Sequence, residues 1–96
     1  MPTLTGNYAT AHASKYLQQL CKHFGHKVDV SYDMQAGTAA LPVGPAQLVA
    51  SDEALSVVIA LNDAGDADRA KYILDSHLEK FAFREEFTTM DWAMAD

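Results

Sequence analysis

The stretch ALSVVIALNDAGDAD, residues 54–68, changes its hydrophobic period part-way along. Leu55, Val57, Ile59 and Leu61 alternate with Ser56, Val58, Ala60 and Asn62, and the second set is itself half apolar. A strand that is apolar on one face and partly apolar on the other belongs inside a sheet. Asp63–Asp68 then brings carboxylates suited to capping free N–H groups and to the positive end of a helix dipole. Ala67, Ala70, Leu74, Leu78 and Phe81 follow at helical spacing, which predicts a helix running to about Phe81.

Upstream, Val28, Val30, Tyr32 and Met34 alternate with Asp29, Ser31 and Asp33, the pattern of a strand covered on one face. QAG (35–37) turns it. Weaker strands follow over 38–43 and 46–50, around LPVGPAQ (Leu41–Gln47), where Pro42 and Pro45 each remove a ladder donor and imply an edge, a bend or a wide turn. Near the start, GNYATA (Gly6–Ala11) fits a short strand with Tyr8 and Thr10 on one face. From Ala13 to Phe24 the apolar set Ala13, Leu17, Leu20, Cys21 and Phe24 lines one side of an amphipathic helix. Thr10 or Ser14 is placed to cap it, and Gly25 to end it in the left-handed conformation. The order is β-α-β-β-β-β-α. It predicts an α+β domain over residues 1–96, with an antiparallel sheet of four to five strands and two helices packed on one face.

Composition bounds the function. The 96 residues carry 49% hydrophobic and 21% charged side chains, ordinary for a folded domain. No apolar run approaches the ~18 residues of a membrane span, and no secretory signal is visible, so no membrane partner is expected. The single cysteine cannot form an intramolecular disulfide and fits a reducing cytoplasm. The formal net charge is −6, unevenly spread: residues 1–28 hold Lys15, Lys22 and Lys27 with no acid, against four basic and thirteen acidic side chains in the rest. Such a chain is a poor counterion for phosphate backbones, and nucleic acid is not an expected partner.

Candidate chemistry gathers in CKHFGHK (Cys21–Lys27). A zinc site on Cys21, His23 and His26 needs donors that converge within ~2.0–2.3 Å of one ion, but residues 21 and 23 point about 160° apart on one helix. Cys21 reads as a buried apolar residue. Lys22, His23 and Lys27 suit the negative end of the helix dipole. The flank His12, Tyr16, Gln19, His23 forms a polar stripe that borders the buried face and is placed to edge a cleft. His77 points into the apolar stripe of the second helix, where an imidazole needs a hydrogen-bond partner. Gly-rich phosphate loops, H-E-x-x-H, C-x-x-C and G-x-S-x-G patterns are missing, so no residue is assigned as catalytic and no cofactor is expected.

Three segments together, KYLQQLCKHFGHK (Lys15–Lys27), LPVGPAQL (Leu41–Leu48) and HLEKFAFRE (His77–Glu85), with the late Trp92, resemble the bacterial domain-of-unknown-function family 2218 across essentially the whole chain. The matching residues are Tyr16, Leu17, Leu20, Cys21, His23, His26 and Lys27, then His77, Phe81, Phe83, Arg84 and Glu85. The middle segment departs from the family pattern: Leu41 and Val43 stand in place of its two aromatics, and Ala46 near its cysteine. The resemblance implies a link to siderophore and iron handling, because the family also occurs attached to siderophore-interacting flavin reductases. This chain has no room for such a reductase.

The expected function is a cytoplasmic accessory or binding module, more a binder than an enzyme. Its expected recognition residues are Lys22, His23, His26, Lys27 and Arg84, and its expected partner is a siderophore-interacting reductase or an anionic small ligand; a homodimer is compatible with the sequence. The alternative is a small metal-dependent or acid-base enzyme built on His23, His26 and His77.

Overall fold

In the computed structural model, which describes residues 2–85 and 87–95, the chain forms one six-stranded antiparallel sheet with two helices. In chain order the elements are β1 (Thr3–Ala9), α1 (Ala13–Phe24), β2 (Val30–Tyr32), β3 (Ala36–Leu41), β4 (Gly44–Ala50), β5 (Ala54–Ala60), α2 (Ala67–Phe81) and β6 (Asp91–Ala95). Short 3-10 turns at Ala64–Asp66 and Phe83–Glu85 flank α2. The strands lie in the order β2-β3-β4-β5-β1-β6. As the alternation requires, β5 lies inside the sheet, paired with β4 and with β1.

The core lies between the sheet's inner face and the helices. Leu4, Leu48, Leu55, Val57 and Ile59 from the strands meet Leu17, Leu20 and Cys21 of α1 and Leu74 and Leu78 of α2, all fully or almost fully buried. Both helices present the apolar stripe expected of them. α1 keeps the predicted span, but its cap differs: no side chain caps it. Ser14 donates instead to the carbonyl of Met34, and the Thr10 hydroxyl accepts from the His12 N–H, holding the turn before the helix. Gly25 is right-handed, not left-handed, at φ −62°. A β-carbon there would sit 3.0 Å from the Val30 side chain, so closeness of packing accounts for the glycine.

The sheet departs from the expected one at its edges. The alternation of Val28–Met34 becomes a strand of only three residues, because the Asp33 carboxylate accepts the N–H groups of Gln35 and Ala36 and turns the chain into β3. Tyr32 and Met34 are left exposed. β3 and β4 close on the two-residue turn Pro42-Val43, with Leu41 opposite Gly44. Pro45 precedes the first β4–β5 pair, Ala46 with Ile59, so its missing N–H leaves that ladder intact. The sixth strand, β6, pairs with β1 and was not expected. Its Trp92 lies across Gly6, where a β-carbon would come within 2.6 Å of the indole ring.

Gly44 has φ +139°, and a β-carbon on it would approach the Ala60 carbonyl oxygen to 2.1 Å. Gly44→Ala should cost about 2 kcal/mol or more, since both backbone strain and a contact with backbone that cannot yield oppose it. Leu17→Ala and Ile59→Ala should cost about 2–5 kcal/mol each. Chemical denaturation reads all three; a Gly44→Ala protein as stable as the parent contradicts the turn geometry.

Candidate functional site

After α2 the chain turns at Phe83–Glu85 and carries the Glu85 side chain inward against β1 and α1. One carboxylate oxygen accepts the hydroxyls of Tyr8 and Thr10, each at 2.8 Å, and the other accepts the Tyr16 hydroxyl. The rings of Tyr8 and Tyr16 stack at 6.4 Å between centroids, and Phe87 meets Tyr8 edge-on at 4.8 Å. Burial alone raises the carboxyl pKa, but the hydroxyl donors and the nearby His12 outweigh it and hold Glu85 below the usual range. The tyrosines shift the other way. Burial, then the adjacent carboxylate, keeps both phenols protonated, with Tyr16 pushed up to about 12 and Tyr8 raised as well. As an acid-base pair the cluster is spent, since the carboxylate is held ionised and the phenols are held protonated.

Tyr16 and Glu85 of this cluster form the floor of an open cleft of about 700 Å³. His12, Lys15, Tyr16 and Gln19 of the α1 side face Lys80, Phe81, Phe83 and Arg84. Phe83 is exposed, and the Arg84 guanidinium sits 5.7 Å from its ring centroid, at the range of a cation–π contact. The Gln19 side-chain oxygen is buried without a hydrogen-bond partner among the described residues, an acceptor that a ligand's donor would satisfy. Of the polar stripe read from the sequence, His12, Tyr16 and Gln19 line this cleft.

His23, the fourth member, opens on a second pocket of about 230 Å³ between α1, α2 and the β3–β4 turn. Its walls are Phe24, Val28, Leu41, Pro42 and Ile73, and His23, His77 and Lys27 supply its polar groups. The two imidazoles touch, with centroids 4.4 Å apart and planes at 51°. His77 Nδ1 lies 2.5 Å from the Ile73 carbonyl oxygen and donates to it, since a carbonyl oxygen can only accept. Although His23 is exposed as a residue, loss of water around its ring comes first in holding it below the ordinary histidine value, followed by His77, His26, Lys27 and Lys80.

The five expected recognition residues therefore do not form one site. Lys22 is exposed on α1, His26 and Lys27 follow its end, and Lys27 reaches the smaller pocket together with His23. Arg84 belongs to the larger cleft. Lys80 links them, lining the larger cleft and acting on His23. Of the alternative's three histidines, His23 and His77 meet while the His26 ring stands 6.5 Å from His23. Among the described residues no three His, Cys, Asp or Glu side chains converge to hold a metal ion. Cys21 is fully buried, and burial pushes its thiol up, away from thiolate chemistry.

The sequence pattern of an uncharacterized protein family conserved in bacteria (DUF2218) matches residues 5–93. The chain belongs to this family. Its fold is similar to that of PA4090 from Pseudomonas aeruginosa, solved by NMR, with a TM-score of 0.75 at 23% identity over 99% of this chain and 96% of that one. No curated protein matches it. No helix of the described residues is long and apolar enough to cross a membrane.

Because folding lowers the Glu85 pKa, its ionised form contributes stability that is full above the ordinary glutamate value of ~4.3 and lost as the pH falls through the lowered one. Glu85→Gln should cost about 1–2 kcal/mol at neutral pH, where hydroxyl donors lose their charged acceptor. The gap to the parent should close as the pH falls below about 4. A gap that stays constant across that range contradicts the hydroxyl–carboxylate assignment.

Proposed function

We propose that the chain is a non-enzymatic, cytoplasmic binding module that takes an anionic ligand or the acidic patch of a partner on its helical layer. The observation that carries this reading is the segregation of charge. Lys15, Lys22, Lys27, Arg69, Lys71, Lys80 and Arg84 all lie on the helices or the segments that adjoin them, joined on α2 by Asp68, Asp75 and Glu79 but on α1 and its exit by no acid, while the six strands hold one charged residue, Asp91. Lys15, Lys80 and Arg84 share the larger cleft with Phe81 and Phe83. Cations beside aromatic rings suit an anion with an aromatic body, since charge recruits it and ring faces accept it. An anionic catecholate siderophore has that chemistry, which is consistent with the iron link implied by the family resemblance, and a siderophore-interacting reductase is the corresponding protein partner.

The test is titration of the full chain with a ferric catecholate complex at low salt. Lys80→Gln combined with Arg84→Gln should weaken binding by about tenfold or more and flatten its salt dependence. Their exposed charges contribute little to folding, so the melting temperature should stay nearly unchanged. Lys22→Gln with Lys27→Gln tests the other end of the helical layer in the same way. Should both double variants bind as tightly as the parent, the basic-layer reading is wrong.

A further inference from the structure

We infer that the 230 Å³ pocket between α1, α2 and the Pro42-Val43 turn is a separate binding site for a small monocarboxylate whose body is a single apolar ring or a branched chain of that size. Phe24, Val28, Leu41, Pro42 and Ile73 give it apolar walls, and an apolar cavity of about 150 Å³ already accommodates benzene. Its polar groups are few and of one kind. His23, His77 and Lys27 stand together, and no carboxylate lines the pocket. A hydrophobic cavity with a small, localised set of polar groups orients a ligand by its one polar end.

The surroundings decide between an anion and a metal ion. Two imidazoles in contact, one with Nδ1 tied to a backbone carbonyl, resemble the start of a metal site. The groups that act electrostatically on His23 are His77 and Lys80 from α2, and His26 and Lys27 beyond the end of α1. Lys27 and Lys80 would repel a divalent ion, and among the described residues no third ligand joins the imidazoles to offset this. A carboxylate meets the reverse. It would accept hydrogen bonds from Lys27 and from His23, and its charge would oppose the burial and the neighbouring groups that hold the His23 pKa down. Occupation therefore raises the proton affinity of His23, and a proton is taken up with the ligand. Affinity should rise as the pH falls from about 8 toward 6, and drop again once the ligand's own carboxyl protonates near 4.

This site does not rest on the larger cleft, because Ile73→Phe fills the pocket and leaves every cation of the helical layer in place. The experiment titrates benzoate, benzamide and acetate into the isotopically labelled full chain and follows the amides of Phe24, Ile73 and His77 by NMR. Benzoate should move them, and benzamide, which lacks the charge, should bind about tenfold more weakly or worse. Acetate, which lacks the ring, should also bind more weakly. Binding of benzoate should tighten several-fold from about pH 8 to pH 6, and the exposed substitution His23→Gln should remove that dependence. Ile73→Phe should abolish benzoate binding while ferric catecholate binding persists. Should Ile73→Phe fail to fold, His23→Gln carries the test through the pH profile. Equal binding of benzamide and benzoate, a pH dependence that survives His23→Gln, or stoichiometric zinc at the two histidines in preference to benzoate would overturn the assignment.

Discussion

The carboxylate of Glu85 joins parts of the chain separated by 69 to 77 positions, and much of the structure's C-terminal third is organised around it. Left in a partly buried place without donors, it would be costly and would protonate. Tyr8 of β1, Thr10 just beyond that strand and Tyr16 of α1 remove that cost and tie the chain after α2 to both elements. Asp75 repeats the device one step along. Its carboxylate accepts from the Thr89 hydroxyl, the Met90 N–H and the Trp92 indole, and so guides the chain from α2 to the open edge of β1. With Glu85 turned inward, Phe83 and Arg84 are carried outward, and the wall of the larger cleft follows from the anchoring of its floor.

A second consequence is the division of labour between the two layers. The strands hold almost no charge, and their outer face exposes small and β-branched side chains, Val49 and Val58 among them. A shallow hollow of about 360 Å³ on the sheet is lined by Tyr32, Thr38, Gln47 and Val49, whereas the helical layer carries every lysine and arginine and the two clefts described above. The unevenness along the sequence, three lysines and no acid in residues 1–28, thus becomes a feature of α1 and its exit, and α2 adds Lys80 and Arg84 to it across the interhelical groove.

Sequence pattern was most informative where burial is one-sided and regular. The apolar stripe of α1 predicts Ala13–Phe24, and those are its bounds, because one helix face is packed along its whole length. The same reasoning overextends β2, whose alternation of Val30, Tyr32 and Met34 is cut short by the Asp33 turn, a local hydrogen-bond choice that hydropathy does not register. It misses β6, since DWAMA has little alternation of its own and pairs with β1 through contacts supplied from elsewhere: Gly6 beneath Trp92 and Asp75 on the indole. The site behaves likewise. The stripe of His12, Tyr16 and Gln19 is visible in a helical projection, but the partner that makes it a cleft lies at Glu85, and no spacing connects Tyr8, Thr10 and Tyr16 to that residue. Charge polarity and the family segments group Arg84 with Lys22 and Lys27, but in the fold Arg84 lines the larger cleft and Lys27 the smaller pocket.

The arrangement of ionisable groups bears on whether this is a catalyst. General acid-base work calls for groups whose pKa values lie near the working pH and which have a free lone pair or proton to offer. Glu85, Tyr8 and Tyr16 fail on both counts, because each is driven away from neutrality by the others and their hydrogen bonds are directed at one another. Cys21 is buried with its thiol pushed up. His23 and His77 face apolar walls and a lysine, and among the described residues no third metal ligand joins them. Under the proposed reading, a proton taken up at His23 has a use without chemistry. It would couple the charge of the pocket to the charge of what enters it, so that an anion is taken up and then released as the pH rises.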